Sequence, residues 1–202
     1  MSTGDNTRPS FAQRGHIRTL HQREELPLLR DHLLRLDPAS RYERFNGFID
    51  DSFIEAYAAK CAEDGTIIIA YIQDGIVRGA AELHPPDQSS DGVPEIAFSV
   101  EVSVRRWGIG SVLFRRLISE ARWKNYSSLR ITTGAQNRAM RALASKFGAR
   151  LTFSHGESTG TIDLKPPQLE FANSFIAGSA EMVRLMVQLQ RACWKLLWGM
   201  PT

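Results

Sequence analysis

Two arginines and two glycines stand close together in the segment 105–110, which reads RRWGIG. A strand-like stretch precedes this segment, and a helical apolar pattern follows it. The first turn of a helix leaves backbone N–H groups unpaired, and Gly108 and Gly110 would let a phosphate approach them without a Cβ in the way. Arg105 and Arg106 add positive charge at the same helix end. The spacing Arg-x-x-Gly-x-Gly therefore predicts an anion site suited to a pyrophosphate.

The pattern differs from two common nucleotide-binding motifs. It lacks the third glycine of GxGxxG, and it lacks the Lys-Ser/Thr pair of GxxxxGK[ST]. NAD and ATP are therefore not favoured as ligands. The alternative interpretation is a tight strand-to-helix turn that uses glycine only for close packing.

The segment 100–120, VEVSVRRWGIGSVLFRRLISE, resembles the acetyl-CoA-binding motif of the GNAT acetyltransferases, Gln/Arg-x-x-Gly-x-Gly/Ala. The segment 137–149, NRAMRALASKFGA, is similar to a later stretch of that family, in which an Asn lies near the cofactor's arm. The resemblance implies an acetyl-CoA-dependent N-acetyltransferase that uses acetyl-CoA as co-substrate and needs no metal. In the family, a bulge splays the strand before the loop, and the backbone of that strand pairs with the pantetheine arm. The resemblance assigns cofactor binding to Val100, Val102, Val104, Arg105, Arg106, Gly108, Ile109, Gly110, Ser111, Asn137 and Met140.

A general base is expected, because an amine must be neutral to attack a thioester. The segment 94–100, PEIAFSV, resembles the strand of bacterial GNAT protein-lysine acetyltransferases in which a Glu at the place of Glu95 is the base. Glu95 is therefore the expected catalytic residue, and the alternative is an exposed carboxylate at a strand end. Glu101, in the expected bulge, and Glu82, on the neighbouring strand, are the second and third candidates. Ala144 stands where many family members have a Tyr acid, so no acid is assigned.

In the family the cofactor occupies one side of the split sheet, so the resemblance implies that the segments 37–51 and 84–92, on the other side, bind the acceptor. The segment 36–45, LDPASRYERF, resembles a Leu-x-x-x-Ser-x-x-x-Arg-Phe stretch of those protein acetyltransferases. This resemblance favours a protein lysine, and a small amine stays open as the alternative acceptor. The missing Tyr motivates a second hypothesis, a catalytically weak acyl-CoA-binding sensor or regulatory module. A scaffold that merely uses the fold is the third.

The elements that must position these residues follow from hydrophobic periodicity and turn signals. The predicted order is a strand, two helices, three antiparallel strands, a helix, a strand, a helix and two strands. The fold class is therefore α/β, and the resemblance specifies the GNAT fold, with a mixed, mostly antiparallel sheet that is splayed at the cofactor strand and flanked by helices. An extra C-terminal helix is expected after the Lys165-Pro166-Pro167 break.

Composition limits the class of protein. The chain has 202 residues, of which 43% are hydrophobic, and its net charge of +3 is too small to indicate nucleic-acid binding without a concentrated basic face. Its two cysteines, Cys61 and Cys193, suit neither a disulfide framework nor a structural zinc, and the five histidines form no ligand pair. A reducing cytoplasm is therefore expected. No stretch reaches the roughly 18 apolar residues of a membrane span.

Three regions are predicted along the chain. Residues 1–15 are polar and are expected to form a disordered leader, residues 16–164 the GNAT acyltransferase domain, and residues 165–202 a C-terminal helical extension. Apolar residues cover most of the circumference of that last helix, so it needs a partner surface. We expect it to pack on its own domain or on a second copy of the chain in a homodimer. Contact with a membrane surface is the less favoured alternative.

Overall fold

The computed structural model describes residues 15–21, 23–86 and 92–164. The predictions for the C-terminal extension, and for all of the leader except Gly15, lie outside these ranges. Within the described ranges, no helix combines the length and the apolar character needed to cross a membrane.

Seven strands and five helices make up the described part of the chain. In chain order they are β1 (His16–Leu20), α1 (Leu26–Arg35), α2 (Pro38–Phe45), α3 (Asp51–Glu63), β2 (Ile67–Gln73), β3 (Ile76–His84), β4 (Glu95–Val100), α4 (Ile109–Trp123), β5 (Ser128–Gly134), α5 (Arg138–Lys146), β6 (Arg150–Ser154) and β7 (Glu157–Asp163). Short 3₁₀ turns cover Arg23–Glu25 and Val102–Val104.

Helix α2 corrects the predicted element order, which placed two helices rather than three between β1 and β2. The Asp37 carboxylate caps this helix by accepting from the backbone N–H of Ser40 at 3.0 Å, and Pro38 occupies the first helical position. The helix ends at Asn46, which has a left-handed φ of 52°. Eight residues are too few for the apolar periodicity of a helix to show in the sequence. The two end signals, Asp37-Pro38 and Asn46, were therefore the features that could have indicated this helix.

The strands form one sheet in the order β1-β2-β3-β4-β5-β7-β6. All neighbouring pairs are antiparallel except β4 and β5, which run parallel. These two strands pair only at Glu95 with Arg130 and at Ile96 with Ile131, and beyond those positions they part. The prediction of a mostly antiparallel sheet that is splayed at this strand is confirmed.

Strand β4 is shorter than implied by the resemblance, which places Val102 in the strand that pairs with the pantetheine arm. It ends at Val100, because the backbone N–H of Glu101 turns to the carbonyl oxygen of Arg78 at 2.9 Å and the chain then enters the 3₁₀ turn. The turn carries the chain towards the start of α4. The departure from the strand therefore places the glycine loop at the open end of the splay.

Each face of the sheet has its own apolar core. On one face α4 dominates, with Leu113, Phe114 and Leu117 fully buried, and the Phe114 ring stacks between the rings of Phe98 and Phe147 at 4.8 and 4.3 Å. On the other face, α1 and α3 cover β2 and β3 through buried leucines and isoleucines. Alternate residues of β2 enter the two cores, as the two-residue period of a strand requires.

Candidate active site

The glycine loop forms the N-terminus of α4. Gly108 precedes the helix with a φ of +82°, a left-handed conformation that side-chain-bearing residues adopt at a cost. Within the part of the chain that the structure describes, the backbone N–H groups of Gly108, Ile109 and Gly110 donate to no protein acceptor. Three donors and the positive end of the helix dipole are thus available to an anion.

Gly110 has a packing role as well. A Cβ at this position would lie 3.3 Å from Cδ2 of Leu143, so the glycine allows α5 to approach the first turn of α4 closely. The proximity brings Lys146 of α5 to the loop, where its Nζ donates to Oγ of Ser111 at 3.1 Å. Lys146 therefore adds positive charge that the sequence motif does not include.

A cavity of about 470 Å³, which we call the donor cavity, opens beside this loop. Val102 is outside the donor cavity and 60% exposed, because it belongs to the 3₁₀ turn rather than to the strand. The other residues assigned to cofactor binding line the cavity: Val100, Val104, Arg105, Arg106, Gly108, Ile109, Gly110, Ser111, Asn137 and Met140.

The two arginines of the motif have different surroundings. Arg105 donates from Nε to the carbonyl oxygen of Val100 at 3.0 Å and from Nη2 to Oγ of Ser40 at 2.6 Å, so its guanidinium is turned towards α2. The Ser40 hydroxyl in turn donates to the carboxylate of Asp37. Arg106 lines the donor cavity and has no hydrogen-bond or ion-pair partner among the described residues. Arg106 is therefore the arginine whose charge is free for a phosphate.

A larger cleft of about 910 Å³, the acceptor cleft, lies where β4 and β5 part. Glu95 lines it from the first position of β4 and is exposed. His84, the last residue of β3, is directly opposite Glu95 in the antiparallel register, so the two side chains share a face of the sheet. The His84 ring is fixed at both nitrogens, with Nε2 at 3.0 Å from the Tyr57 hydroxyl and Nδ1 at 3.0 Å from Oγ1 of Thr66.

Glu82 is fully buried in an ion pair. Nη2 of Arg44 donates to Oε2 of Glu82 at 2.9 Å, and the Tyr57 hydroxyl donates to the same oxygen at 2.5 Å. Burial alone would raise the pKa of Glu82, but the charge of Arg44 and the hydrogen bonds from His84 and Tyr57 outweigh it and hold that pKa well below its usual range. A carboxylate so strongly stabilised in its charged form is a poor general base, and the geometry gives Glu82 a structural role.

Glu101 is also committed to a buried network. Its carboxylate accepts from Arg78 at 2.8 Å and from Arg35 at 3.2 Å, and Oε1 lies 3.3 Å from Nδ1 of the buried His32. Burial would raise the pKa of Glu101, yet the hydrogen bonds from His32 and Arg78, with the charges of His32 and Arg35, lower it to about 2. Glu101 lines neither cavity. Of the three candidate bases, Glu95 is the one that lies in a cleft.

Comparison with known proteins decides the family. Residues 29–149, more than half of the chain, match the model of the acetyltransferase (GNAT) family. The chain belongs to the GNAT family. The α/β fold described above is accordingly the GNAT fold, as the sequence predicted.

Solved structures agree with this fold. The GNAT domain of S. lividans PAT is 14% identical with a TM-score of 0.62, and the alignment covers 74% of this chain and 90% of that one. The yncA protein of Salmonella typhimurium, solved with its cofactor acetyl-CoA, is 19% identical with a TM-score of 0.55 and coverage of 76% and 95%. The ribosomal-protein-alanine N-acetyltransferase of Brucella melitensis is 22% identical with a TM-score of 0.53 and coverage of 72% and 96%. At these identities the likeness establishes the fold alone.

Several residues of this GNAT site were not singled out by sequence reasoning. His84 had a usable signal, because its two-residue spacing from Glu82 puts both on one face of β3. Tyr57 lies on α3 and carries no comparable signal. Cys61 of the same helix is buried, and burial raises the pKa of its thiol to about 12. Among the described residues, no cluster of His, Cys, Asp and Glu could hold a metal ion.

Proposed function

We propose that this GNAT protein is an acetyl-CoA-dependent N-acetyltransferase that moves an acetyl group to an amine, either a protein lysine or a small molecule. The observation that carries the proposal is the arrangement of two cavities around the splay between β4 and β5. One cavity presents the N-terminus of α4, and the other presents the carboxylate of Glu95. The acetyl-CoA found in the related yncA structure supports the choice of donor.

The donor would be held by its pyrophosphate at the glycine loop. The N–H groups of Gly108, Ile109 and Gly110 would supply hydrogen bonds, and Arg106 and Lys146 would supply charge. The pantetheine arm would then follow β4, whose edge facing β5 has no strand partner beyond Ile96 among the described residues. The acceptor would enter through the other cavity, so that the two substrates approach the splay from opposite sides.

Glu95 is proposed as the general base. Its carboxylate, directly or through a water molecule, would take a proton from the acceptor ammonium, and the neutral nitrogen would then attack the thioester carbonyl carbon. A C–N bond forms and the C–S bond breaks, and the second proton that the nitrogen loses passes through water to the departing thiolate. Position 144, where many family members have a Tyr acid, is here an alanine that is fully buried in α5. Because alanine has no hydroxyl group, this position cannot supply the acid.

The missing hydroxyl at position 144 favours a second candidate function. A member of the family with no hydroxyl at position 144 can still bind an acyl-CoA without turning it over, and it would then act as a sensor or regulatory module. Cofactor binding without transfer to any member of a broad panel of amines, peptides and proteins would support this candidate over the enzyme.

The test combines calorimetry with transfer of a labelled acetyl group. The intact chain is titrated with CoA and then incubated with labelled acetyl-CoA and the panel, and products are identified by mass spectrometry. Glu95→Gln should keep the affinity for CoA while turnover falls by about 100-fold or more. Glu55→Gln, at an exposed position of α3 outside both cavities, is the matched control and should leave both unchanged. Full activity in Glu95→Gln would show that the base assignment is wrong.

The division of the chain at residues 15/16 and 164/165, the cytoplasmic location and a homodimer through the C-terminal segment are further proposals from the sequence. Size-exclusion chromatography with light scattering, on the full chain and on a chain ending at residue 164, measures the last of these. A monomer in both cases would exclude the homodimer.

A further inference from the structure

The donor cavity and the acceptor cleft share part of their walls. Five residues line both of them: Glu43, Arg44, Phe98, Asn137 and Met140. If the donor arm occupies one cavity and the amine the other, acyl transfer must take place where the two meet. The residues of this junction are therefore the side chains nearest to the bond that is made.

Most polar groups at the junction are already engaged. The Arg44 guanidinium binds Glu82 and Tyr57 and lies over the Phe45 ring, 4.7 Å from its centroid. The side-chain carbonyl of Asn137 caps α5 by accepting from the N–H of Met140 at 2.9 Å. Each of these contacts belongs to the frame of the site rather than to a ligand.

Glu43 is the acidic side chain at the junction. Its side chain is half-buried, and among the described residues its carboxylate has no hydrogen-bond or ion-pair partner. Glu95 likewise has no hydrogen-bond or ion-pair partner among the described residues, but it is exposed, and it lines the acceptor cleft and not the donor cavity. A carboxylate without a partner, set where two cavities join, is suited to a cation that arrives with the acceptor.

Glu43 is held in this position because α2 is anchored by contacts near both of its ends. Ser40, one turn before Arg44, binds Nη2 of Arg105 in the glycine loop at 2.6 Å. Arg44 binds the buried Glu82 of β3 at 2.9 Å. These two contacts anchor the helix to the glycine loop and to β3, and Glu43 lies between Ser40 and Arg44 in the helix.

We propose that Glu43 is a further catalytic residue, which binds the acceptor nitrogen at the junction, and that the acceptor is accordingly a cationic primary amine. The inference rests on the proposed function. Glu43 makes the charge-assisted hydrogen bond that places the nitrogen beside the thioester carbon, and Glu95 removes the proton. The carboxylate of Glu43 is the same before and after transfer.

The test needs no knowledge of the natural acceptor. S-(2-aminoethyl)-CoA places an ammonium close to the sulfur, and S-propyl-CoA is its uncharged counterpart of similar shape. Calorimetry on the intact chain gives the dissociation constant of each. The wild-type protein should bind the aminoethyl compound about tenfold more tightly. Glu43→Gln should abolish that preference, Glu95→Gln should reduce it less, and the exposed control Glu55→Gln should retain it.

The outcomes separate the inference from the proposed function. Equal affinity of the wild-type protein for both compounds overturns the inference alone, and this comparison needs no variant to fold. A preference that survives in Glu43→Gln, or that Glu95→Gln removes to the same extent, also overturns it, because a general acidic potential would then be the cause. Failure of both compounds to bind at millimolar concentration overturns the proposed function as well.

Discussion

Nη2 of Arg105 donates to Oγ of Ser40 at 2.6 Å, across 65 residues of sequence. The contact joins α2 to the loop that opens α4, and Arg105 is fixed on its other side by the carbonyl oxygen of Val100. The first arginine of the motif therefore fastens α2 to the loop that lines the donor cavity. Arg105 thus has a structural role in addition to the positive charge that it adds to the loop.

Ser40→Ala removes the acceptor for Arg105 and the hydroxyl that donates to Asp37. We expect a loss of about 1 kcal/mol in the free energy of unfolding and a fall of several-fold in the affinity for CoA. Urea unfolding and calorimetry measure the two effects. Ser103→Ala is the control, since the Ser103 side chain is exposed and has no partner within the described ranges. Equal CoA affinities in the two variants would contradict the proposed link.

Gly108→Ala tests whether the glycine loop serves a ligand or only the fold. Gly108 and Gly65 both have a positive φ, +82° and +77°, and an added Cβ at either position would meet nothing within 4 Å. Both alanine variants should therefore lose about 1 kcal/mol of stability through backbone strain. Only Gly108→Ala should weaken CoA binding, because its Cβ would stand where the proposed pyrophosphate site lies. A similar loss of binding in Gly65→Ala would assign the effect to stability.

Glu82→Gln leaves the guanidinium of Arg44 buried without its counter-charge. Breaking a buried ion pair from one side costs about 3 to 5 kcal/mol, so we expect a large fall in the urea midpoint. Glu55→Gln, on the exposed face of α3, should change stability by no more than about 0.5 kcal/mol. A loss below about 1 kcal/mol in Glu82→Gln would show that Arg44 reaches water or another partner.

Stability should fall in acid, and Glu101 should account for part of the fall. Its pKa in the folded protein is about 2, below the ordinary value of about 4.3 for an unfolded Glu. A lowered folded-state pKa means that the carboxylate stabilises the fold at neutral pH and that this contribution is lost as the pH drops from about 5 to about 2. Urea midpoints at pH 7 and pH 3 should therefore differ less in Glu101→Gln than in the wild type. An unchanged difference would remove Glu101 from the acid response.

Local signals in the sequence predicted much of the fold. The Asp74-Gly75 turn between β2 and β3, the Asn137 cap of α5 and the turn at Gly156 between β6 and β7 each specify a structure within a few residues. Helix α2 and the early end of β4 were missed. The first is too short for periodicity, and the second depends on a backbone contact between Glu101 and Arg78 that no local pattern encodes.

The site divides in the same way. The glycine loop is contiguous in sequence, so its place at the start of a helix could be predicted from the motif. Glu43, His84 and Lys146 reach the site through the splay of the sheet, the docking of α2 and the packing of α5, each of which is a long-range contact. The resemblance pointed to Ser40 and Arg44, and the structure supplies the reason for that spacing, since the two side chains bind opposite sides of the site.

The parting of β4 and β5 has a further consequence for the behaviour of the protein in solution. Past Ile96 and Ile131, each strand turns a row of backbone groups towards the other without pairing, which leaves two sheet edges within the described part of the chain. Unpaired edges invite the strands of other chains. An extended ligand arm lying between them would protect these edges, so the unliganded protein should be the form more prone to aggregate on storage.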